Sequence, residues 1–245
     1  MIQSGGPSPS RHGLALLFVA EMYGVQLDQL AALLEVTPGR AAAVAARWRA
    51  SGTADTAMLS PGPRWVWLTR AGLAACGLPY RAAAPGLSRL AHLRAVTAAR
   101  LALTVTPQFA AGRAYWRSER RLRARIGGRI GLREHVPDGE VHWPDGTAIA
   151  WAGECWAIEA ELTPKTSART VTIMREVLTR TGDYGCLAAD VRVPGQRPRH
   201  ARAIYLCSAD ARPVVSRARD ALGRLGERVE IRLLPASAAL GRGTP

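Results

Sequence analysis

Two glutamates, Glu159 and Glu161, stand two positions apart in the apolar run AIEAELTPK, residues 157–165. A strand over 155–162 would point both carboxylates to one face, because strand side chains alternate. Asp138, in the tripeptide Pro-Asp-Gly at a sharp bend, supplies a third acid. Rigidly held carboxylate oxygens suit Mg²⁺, which stabilises charge on a phosphodiester and activates water. The pattern therefore predicts a phosphodiester-hydrolysing site with Asp138 and Glu159 as metal ligands.

Lys165 is the only lysine in a chain whose Lys and Arg residues together number 33. An ammonium places one compact donor and can shift its pKa, whereas a guanidinium stays charged. A lone lysine after two acids therefore indicates a catalytic role. The alternative is that Lys165 starts a helix and makes a surface pair with Glu161.

The formal net charge of +14 and the sequence pI near 11.1 favour a polyanionic partner. Double-stranded DNA is the default and an anionic membrane surface the competitor. No apolar run approaches the ~20 residues that span a bilayer, so we expect no membrane partner. The four cysteines and five histidines lack zinc-ligand spacing, so we expect buried free thiols, no zinc and a cytoplasmic location.

The first part of the chain predicts a flexible leader over 1–12 and a winged helix-turn-helix domain over 13–82. Its helices are expected near 14–24, 27–35 and 38–50, its hairpin strands near 54–59 and 64–68, and a short helix within 68–78. In such a domain the third helix enters the major groove and the hairpin contacts the flanking backbone. The candidate DNA contacts are Arg40, Arg47, Arg49, Arg64 and Arg70. The alternative is a protein-interaction module with solvated arginines.

A linker helix is predicted within 83–112, followed by an α/β domain over 113–236 and a tail over 237–245. The expected strands lie near 141–143, 147–151, 155–162, 202–207 and 229–234, and the expected helices near 114–126, 167–180 and 211–225. Arg117, Arg120 and Arg121 belong to an arginine-rich segment that we expect to lie against nucleic acid. A solvated charged face is the alternative.

The order of an Asp after Pro, an acid-x-acid strand and a nearby lysine resembles the PD-(D/E)xK nuclease superfamily. From about 14 to 234 the chain also resembles the replication-relaxation proteins of actinobacterial plasmids and mobile elements. The similar segments are WLTRAGL (67–73), LAHLRAV (90–96), WRSERRLR (116–123), HVPDG (135–139), AIEAELTPK (157–165) and AIYLCS (203–208).

This resemblance implies a winged helix followed by a restriction endonuclease-like αβββαβ core that binds Mg²⁺ or Mn²⁺. It makes Asp138 and Glu159 the metal ligands and places Glu119 on the first helix of the core. Glu161 stands where the superfamily usually has its lysine, and Lys165 follows four residues later.

Two functions follow from these patterns. The first is a Mg²⁺-dependent DNA endonuclease or nickase that a winged helix directs to DNA, with Asp138, Glu159, Glu161, Lys165 and Glu119 in its site. The second is a non-catalytic DNA-binding factor of plasmid replication, maintenance or transfer, whose nuclease-like domain binds DNA or forms a homodimer. No Walker loop, GxSxG or HExxH supports an ATPase, a serine hydrolase or a zinc protease.

Overall fold

The computed structural model describes residues 10–126, 135–182 and 198–235. This part of the chain forms two compact units, the first ending at Leu90 and the second beginning at Ala91. The fold is mixed α/β, with a three-stranded sheet in the first unit and a five-stranded sheet in the second. The predictions for 1–9, 127–134 and 236–245, and for Cys186, lie outside the described residues.

The first unit contains four helices and a small antiparallel sheet of order β1-β3-β2. Its elements are α1 (Arg11–Glu21), β1 (Val25–Gln26), α2 (Leu27–Leu34), α3 (Pro38–Ala50), β2 (Ala54–Ala57), β3 (Trp65–Leu68) and α4 (Arg70–Ala75), followed by a 3₁₀ turn at Leu87–Arg89.

Local sequence explains where α3 begins. The Thr37 side chain accepts a hydrogen bond from the Arg40 N–H, and Pro38 occupies the first turn, where its missing N–H costs nothing. The helix covers the predicted range 38–50. Its buried face consists of Ala41, Val44, Ala45 and Trp48, which leaves its arginines on the outer side.

The second unit is built on a sheet of order β4-β5-β6-β7-β8. Its elements are α5 (Leu90–Thr104), α6 (Pro107–Ala111), β4 (Tyr115–Ser118), α7 (Glu119–Ile126), β5 (Gly139–His142), β6 (Cys155–Glu161), α8 (Ser167–Thr179), β7 (Arg202–Cys207), α9 (Arg212–Asp220), a 3₁₀ segment (Gly223–Arg228) and β8 (Val229–Leu233). Strands β4, β5 and β6 are antiparallel, and β6, β7 and β8 are parallel.

Two predicted elements of the second unit are wrong. The segment 114–126 is a strand, β4, before it becomes helix α7, because residues 115–118 pair with β5. The segment 147–151 is a set of turns between Gly146 and Gly153, both at positive φ, and its Trp151 packs against Trp143 and Trp156. The three antiparallel strands are thus β4, β5 and β6, and the first of them precedes α7.

One core cluster of the second unit lies on the face of the sheet that helices α8 and α9 cover. Ala157, Ala203, Tyr205 and Cys207 point to this face, and buried residues of α8 and α9 pack against them. Glu159 and Glu161 alternate with apolar side chains in β6 and therefore point to the same face as Ala157. The fold thus places two carboxylates at the end of a buried strand, beside an apolar core.

Candidate active site

The pairing of β5 with β6 brings Asp138 to Glu159. Gly139 is paired with Ile158, so Asp138, one residue earlier, lies beside the next residues of β6. The Ala160 N–H donates to Asp138 Oδ2 at 2.8 Å, which fixes the aspartate against that strand. The charges of Asp138, Glu159 and Glu161 act on one another and on Tyr205, so the three predicted acids form one electrostatic cluster.

Glu159 is 4% exposed and shares its site with His135. The Nε2 atom of His135 lies 2.6 Å from Glu159 Oε1, and the His135 N–H donates to Glu176 Oε1 at 3.1 Å. Burial, together with the charges of Asp138 and Glu161, raises the pKa of Glu159 to about 7 despite the opposing effect of His135. Burial alone would lower the pKa of His135, but Glu159, together with the charges of Asp138 and Glu176, outweighs burial and raises that pKa. The pair therefore holds a proton near neutral pH.

Asp138 is held by a second histidine. Nε2 of His92, on α5, lies 2.8 Å from Asp138 Oδ1. Burial alone would raise the pKa of Asp138, but His92, the Ala160 N–H and the charge of His135 together lower it. Asp138 therefore stays ionised more readily than Glu159.

Lys165 contacts Glu161, as the surface-pair alternative predicted, but the pair is not superficial. Glu161 is 5% exposed, whereas about a third of the Lys165 side chain, 34%, is accessible. Helix α8 begins at Ser167 with Thr166 as its cap, so Lys165 lies just before the helix rather than at its start. The Lys165 ammonium thus lies between the buried Glu161 carboxylate and the solvent, at the rim of the acid cluster.

Glu119 is the first residue of α7, so it lies on a helix as the resemblance implied. Its carboxylate accepts from Arg123 Nε at 2.7 Å. The backbone N–H of Glu119 donates to the Asp138 carbonyl at 3.1 Å, which ties the start of α7 to the residue before β5. In this conformation Glu119 supports the position of Asp138 through the backbone.

The buried Tyr205 hydroxyl bears on whether the acid cluster fits a hydrated metal ion. Tyr205 is paired with Glu159 across β6 and β7, and its hydroxyl finds no hydrogen-bond partner within the described residues. Burial and the nearby charges of Glu159, Glu161 and Asp138 raise its pKa. Buried polar atoms normally have partners. The Tyr205 hydroxyl thus lacks a partner, and the nearby carboxylates repel one another. A divalent cation on Asp138 and Glu159 would offset this repulsion, and one of the waters that it keeps could pair with the hydroxyl.

The five candidate DNA-contacting arginines of the first unit are all exposed: Arg40, Arg47, Arg49, Arg64 and Arg70. Arg49 on α3 and Arg64 beside β3 both line a cavity of about 590 Å³, with Leu27 and Thr56 among the other lining residues. The small sheet therefore brings the two predicted basic elements, the third helix and the hairpin, to one place.

The three candidate arginines of the arginine-rich segment differ in how exposed their side chains are. Arg121 is exposed and Arg120 half-buried. The Arg117 side chain is 15% exposed, and its Nη1 lies 3.6 Å from the fully buried Glu140. Its strand position turns it toward the interior, so Arg117 is the least accessible of the three to DNA.

A second polar cluster surrounds Glu140. Arg199 donates to both Glu140 oxygens, at 2.6 and 2.9 Å, and Nε2 atoms of His142 and His200 lie 2.8 and 2.9 Å from them. These contacts lower the pKa of Glu140 although burial opposes them. Glu140, Cys155 and His200 place ligand atoms within 4.8 Å of one another and could hold a metal ion.

The histidines of these sites, His92, His135, His142 and His200, were not identified from the sequence. The spacing of the histidines along the chain resembles no ligand motif, since their partners come from distant segments. Two of them could have been found, because His92 and His135 lie in LAHLRAV and HVPDG, two of the segments on which the resemblance to the replication-relaxation proteins rests.

Comparisons of the chain with protein-family models, with curated proteins and with solved structures found no match. Within the described residues, each helix is too short or too polar to cross a membrane.

Proposed function

We propose that this chain is a DNA endonuclease that depends on Mg²⁺ or Mn²⁺. The observation that carries the proposal is the acid cluster of Asp138, Glu159 and Glu161, with Lys165 reaching from Glu161 to the rim. Converging acids with perturbed pKa values and an accessible cation are typical of catalytic sites.

Asp138 and Glu159 would hold the ion. When bound, such an ion stabilises the charge that develops on the phosphate and lowers the pKa of a bound water. Asp138, whose pKa is lowered, offers an ionised carboxylate. Glu159 offers its carboxylate after it loses its proton, and His135, which is hydrogen-bonded to it, can hold that proton at Nε2.

Lys165 would orient the phosphate. Glu161 anchors the ammonium on one side, and the accessible part of the side chain leaves donors that can reach a phosphate oxygen at the rim. Glu161 therefore acts as a positioning residue, although it occupies the place where the superfamily pattern has lysine.

The DNA partner is supported by charge. The chain carries a net charge of +14, and the exposed arginines on and beside α3 form a basic surface of the kind that neutralises phosphates. Arginine contacts to phosphate would position the chain, while sequence preference would need contacts to base edges.

A second function is favoured by a different observation. Each acid already has a partner within the protein: His92 for Asp138, His135 for Glu159 and Lys165 for Glu161. A nuclease-like unit that only binds DNA or forms a homodimer could keep these pairs permanently.

Strand cleavage of supercoiled plasmid separates the two functions. The endonuclease is expected to convert it to nicked or linear DNA with Mg²⁺ or Mn²⁺ and to stop when a chelator is added. Binding to the same plasmid without cleavage in either metal would favour the second function.

A further inference from the structure

We propose that Glu140, His142, Cys155 and His200 form a structural zinc site in the second unit. These residues come from the paired strands β5 and β6 and from the segment that leads into β7. The site is independent of the proposed endonuclease function and differs chemically from the neighbouring acid cluster, which offers mainly oxygen ligands.

The ligand types favour zinc. A thiolate, two imidazoles and a carboxylate are ligands that Zn²⁺ accepts in four-coordinate sites, whereas Mg²⁺ requires oxygen. The Cys155 Sγ lies 3.6 Å from His142 Nε2, and Glu140, Cys155 and His200 place one ligand atom each within 4.8 Å of one another. Glu140, Cys155 and His200 could share one ion at these separations, and His142 would join them after a movement of its side chain.

The hydrogen bonds of His200 indicate which nitrogen would bind the metal. Its Nδ1 lies 2.9 Å from the Val177 carbonyl, which can only accept, so Nδ1 carries a proton. Nε2 then faces Glu140 Oε1 at 2.9 Å either as a second N–H or with a lone pair that a cation must bridge. Metal-binding histidines are commonly fixed in this way through their other nitrogen.

The surroundings also suit a metal centre. The Tyr115 ring stacks on His142 with 4.9 Å between centroids and 6° between planes, which holds the imidazole in place. Arg199 donates to both Glu140 oxygens, and Arg117 lies 3.6 Å from one of them. Each carboxylate oxygen has two lone pairs, so Glu140 can keep Arg199 while it binds an ion. Cys155 is half-buried and leaves a route for entry.

Without a metal, these residues would form a buried polar network in which two arginines and two histidines surround Glu140. That arrangement needs no thiolate. The position of Cys155 beside His142 is therefore the feature that distinguishes a metal centre from a buried ion-pair network.

The test uses the full-length chain, stripped of metal under reducing conditions and titrated with Co²⁺ as a spectroscopic substitute for Zn²⁺. We expect a thiolate-to-cobalt charge-transfer band and strong tetrahedral d–d bands that saturate at a single ion per chain and disappear when Zn²⁺ is added. Wild-type protein that folds but shows no charge-transfer band would overturn the proposal.

Two variants locate the site. Cys155→Ser is expected to lose the charge-transfer band, and His142→Gln to weaken zinc binding by at least about tenfold. Cys76→Ser, at a free cysteine of the first unit, is the matched control and should keep the spectrum. A band that survives in Cys155→Ser would contradict the assignment, whatever the result for Cys76→Ser. Because the readout is spectroscopic, the result does not depend on whether the chain cleaves DNA.

Discussion

At the residue scale, the central feature is a buried glutamate that shares a proton with a histidine. Glu159 lies beside Asp138 and Glu161, and His135 is hydrogen-bonded to it. Such a carboxylate is poorly ionised until a cation or a rise in pH removes its proton. Proton and metal would therefore compete for the same oxygen atoms.

This competition predicts a pH effect on stability. The pKa of Glu159 in the folded state, about 7, lies above its ordinary value, as does that of His135, so the folded state takes up protons. The stabilisation is present below the ordinary pKa of each group and is lost as pH rises through the folded value. We expect the melting temperature to fall as the pH rises from about 5 to about 7, and to fall less in Glu159→Gln. Equal slopes in both proteins would show that the pair does not titrate in this range.

The lone lysine gives a second prediction at this scale. Lys165→Arg keeps the positive charge but replaces a compact donor by a planar fork, so the contact to Glu161 and to phosphate is misplaced. We expect a loss of about 10–100-fold in cleavage rate with DNA affinity unchanged. The control is the reverse exchange, Arg232→Lys, at an exposed residue paired with Glu230. Wild-type rates in Lys165→Arg would remove the lysine from the mechanism.

At the element scale, the close approach of β4 and β5 positions Asp138. A Cβ added to Gly139 would lie 2.1 Å from Cζ2 of Trp116, a buried residue of β4. Gly139→Ala should therefore push the strands apart and lower the free energy of unfolding by about 1–3 kcal/mol. Denaturant unfolding measures this change. Gly39 lies in helix α3, and a Cβ added there would meet no atom within 4 Å outside the backbone of its own helix. Gly39→Ala should therefore be neutral or slightly stabilising. Equal effects of the two substitutions would contradict the packing argument.

The exposed arginines of helix α3 give another prediction for an element. Arg40 and Arg47 are exposed on α3, so replacing both by Ala should weaken DNA binding without unfolding the chain. If both contact phosphates, the dependence of binding on salt should decrease by about two counterions. Arg217→Ala with Arg224→Ala removes the same charge from exposed positions of the second unit and serves as the control. Equal losses in the two double variants would mean that charge alone, and not α3, determines binding.

The sequence allowed us to predict the elements whose signals are local. Helix α3 was predicted correctly because Thr37 and Pro38 mark its start, and β6 because its apolar run is long. Strand β4 was missed because its arginine-rich sequence resembles a helix, and what makes it a strand is pairing with β5, far away in the chain.

The same distinction applies to the candidate site. The alternation of side chains in β6 and the bend at Pro-Asp-Gly were enough to predict that Asp138, Glu159 and Glu161 belong to one site. The roles of His92 and His200 depend on which helices and strands pack together, so no spacing along the chain predicted them. Glu140 was not singled out in the sequence, because only the sheet places it at 0% exposure among four cationic or titratable side chains.

At the scale of the whole molecule, we expect the two units to have different tasks, DNA binding in the first and DNA cleavage in the second. The first unit carries exposed arginines on a helix and beside a hairpin, and the second carries the acid cluster. The strong positive charge of the chain is expected to concentrate it on DNA whether or not it cleaves. Binding and chemistry should therefore be separable by single substitutions.

The most direct test measures DNA cleavage and DNA binding in Glu159→Gln. The control is Glu230→Gln, at a partly exposed acid of β8. Supercoiled plasmid cleavage with Mg²⁺ or Mn²⁺ and a gel-shift assay are run on wild type and both variants. We expect Glu159→Gln to stop cleavage and to keep or increase DNA affinity, because one carboxylate no longer repels phosphate. Glu230→Gln should behave as wild type. Cleavage by Glu159→Gln at the wild-type rate, or a wild type that binds DNA and cuts nothing with either metal, would contradict this prediction.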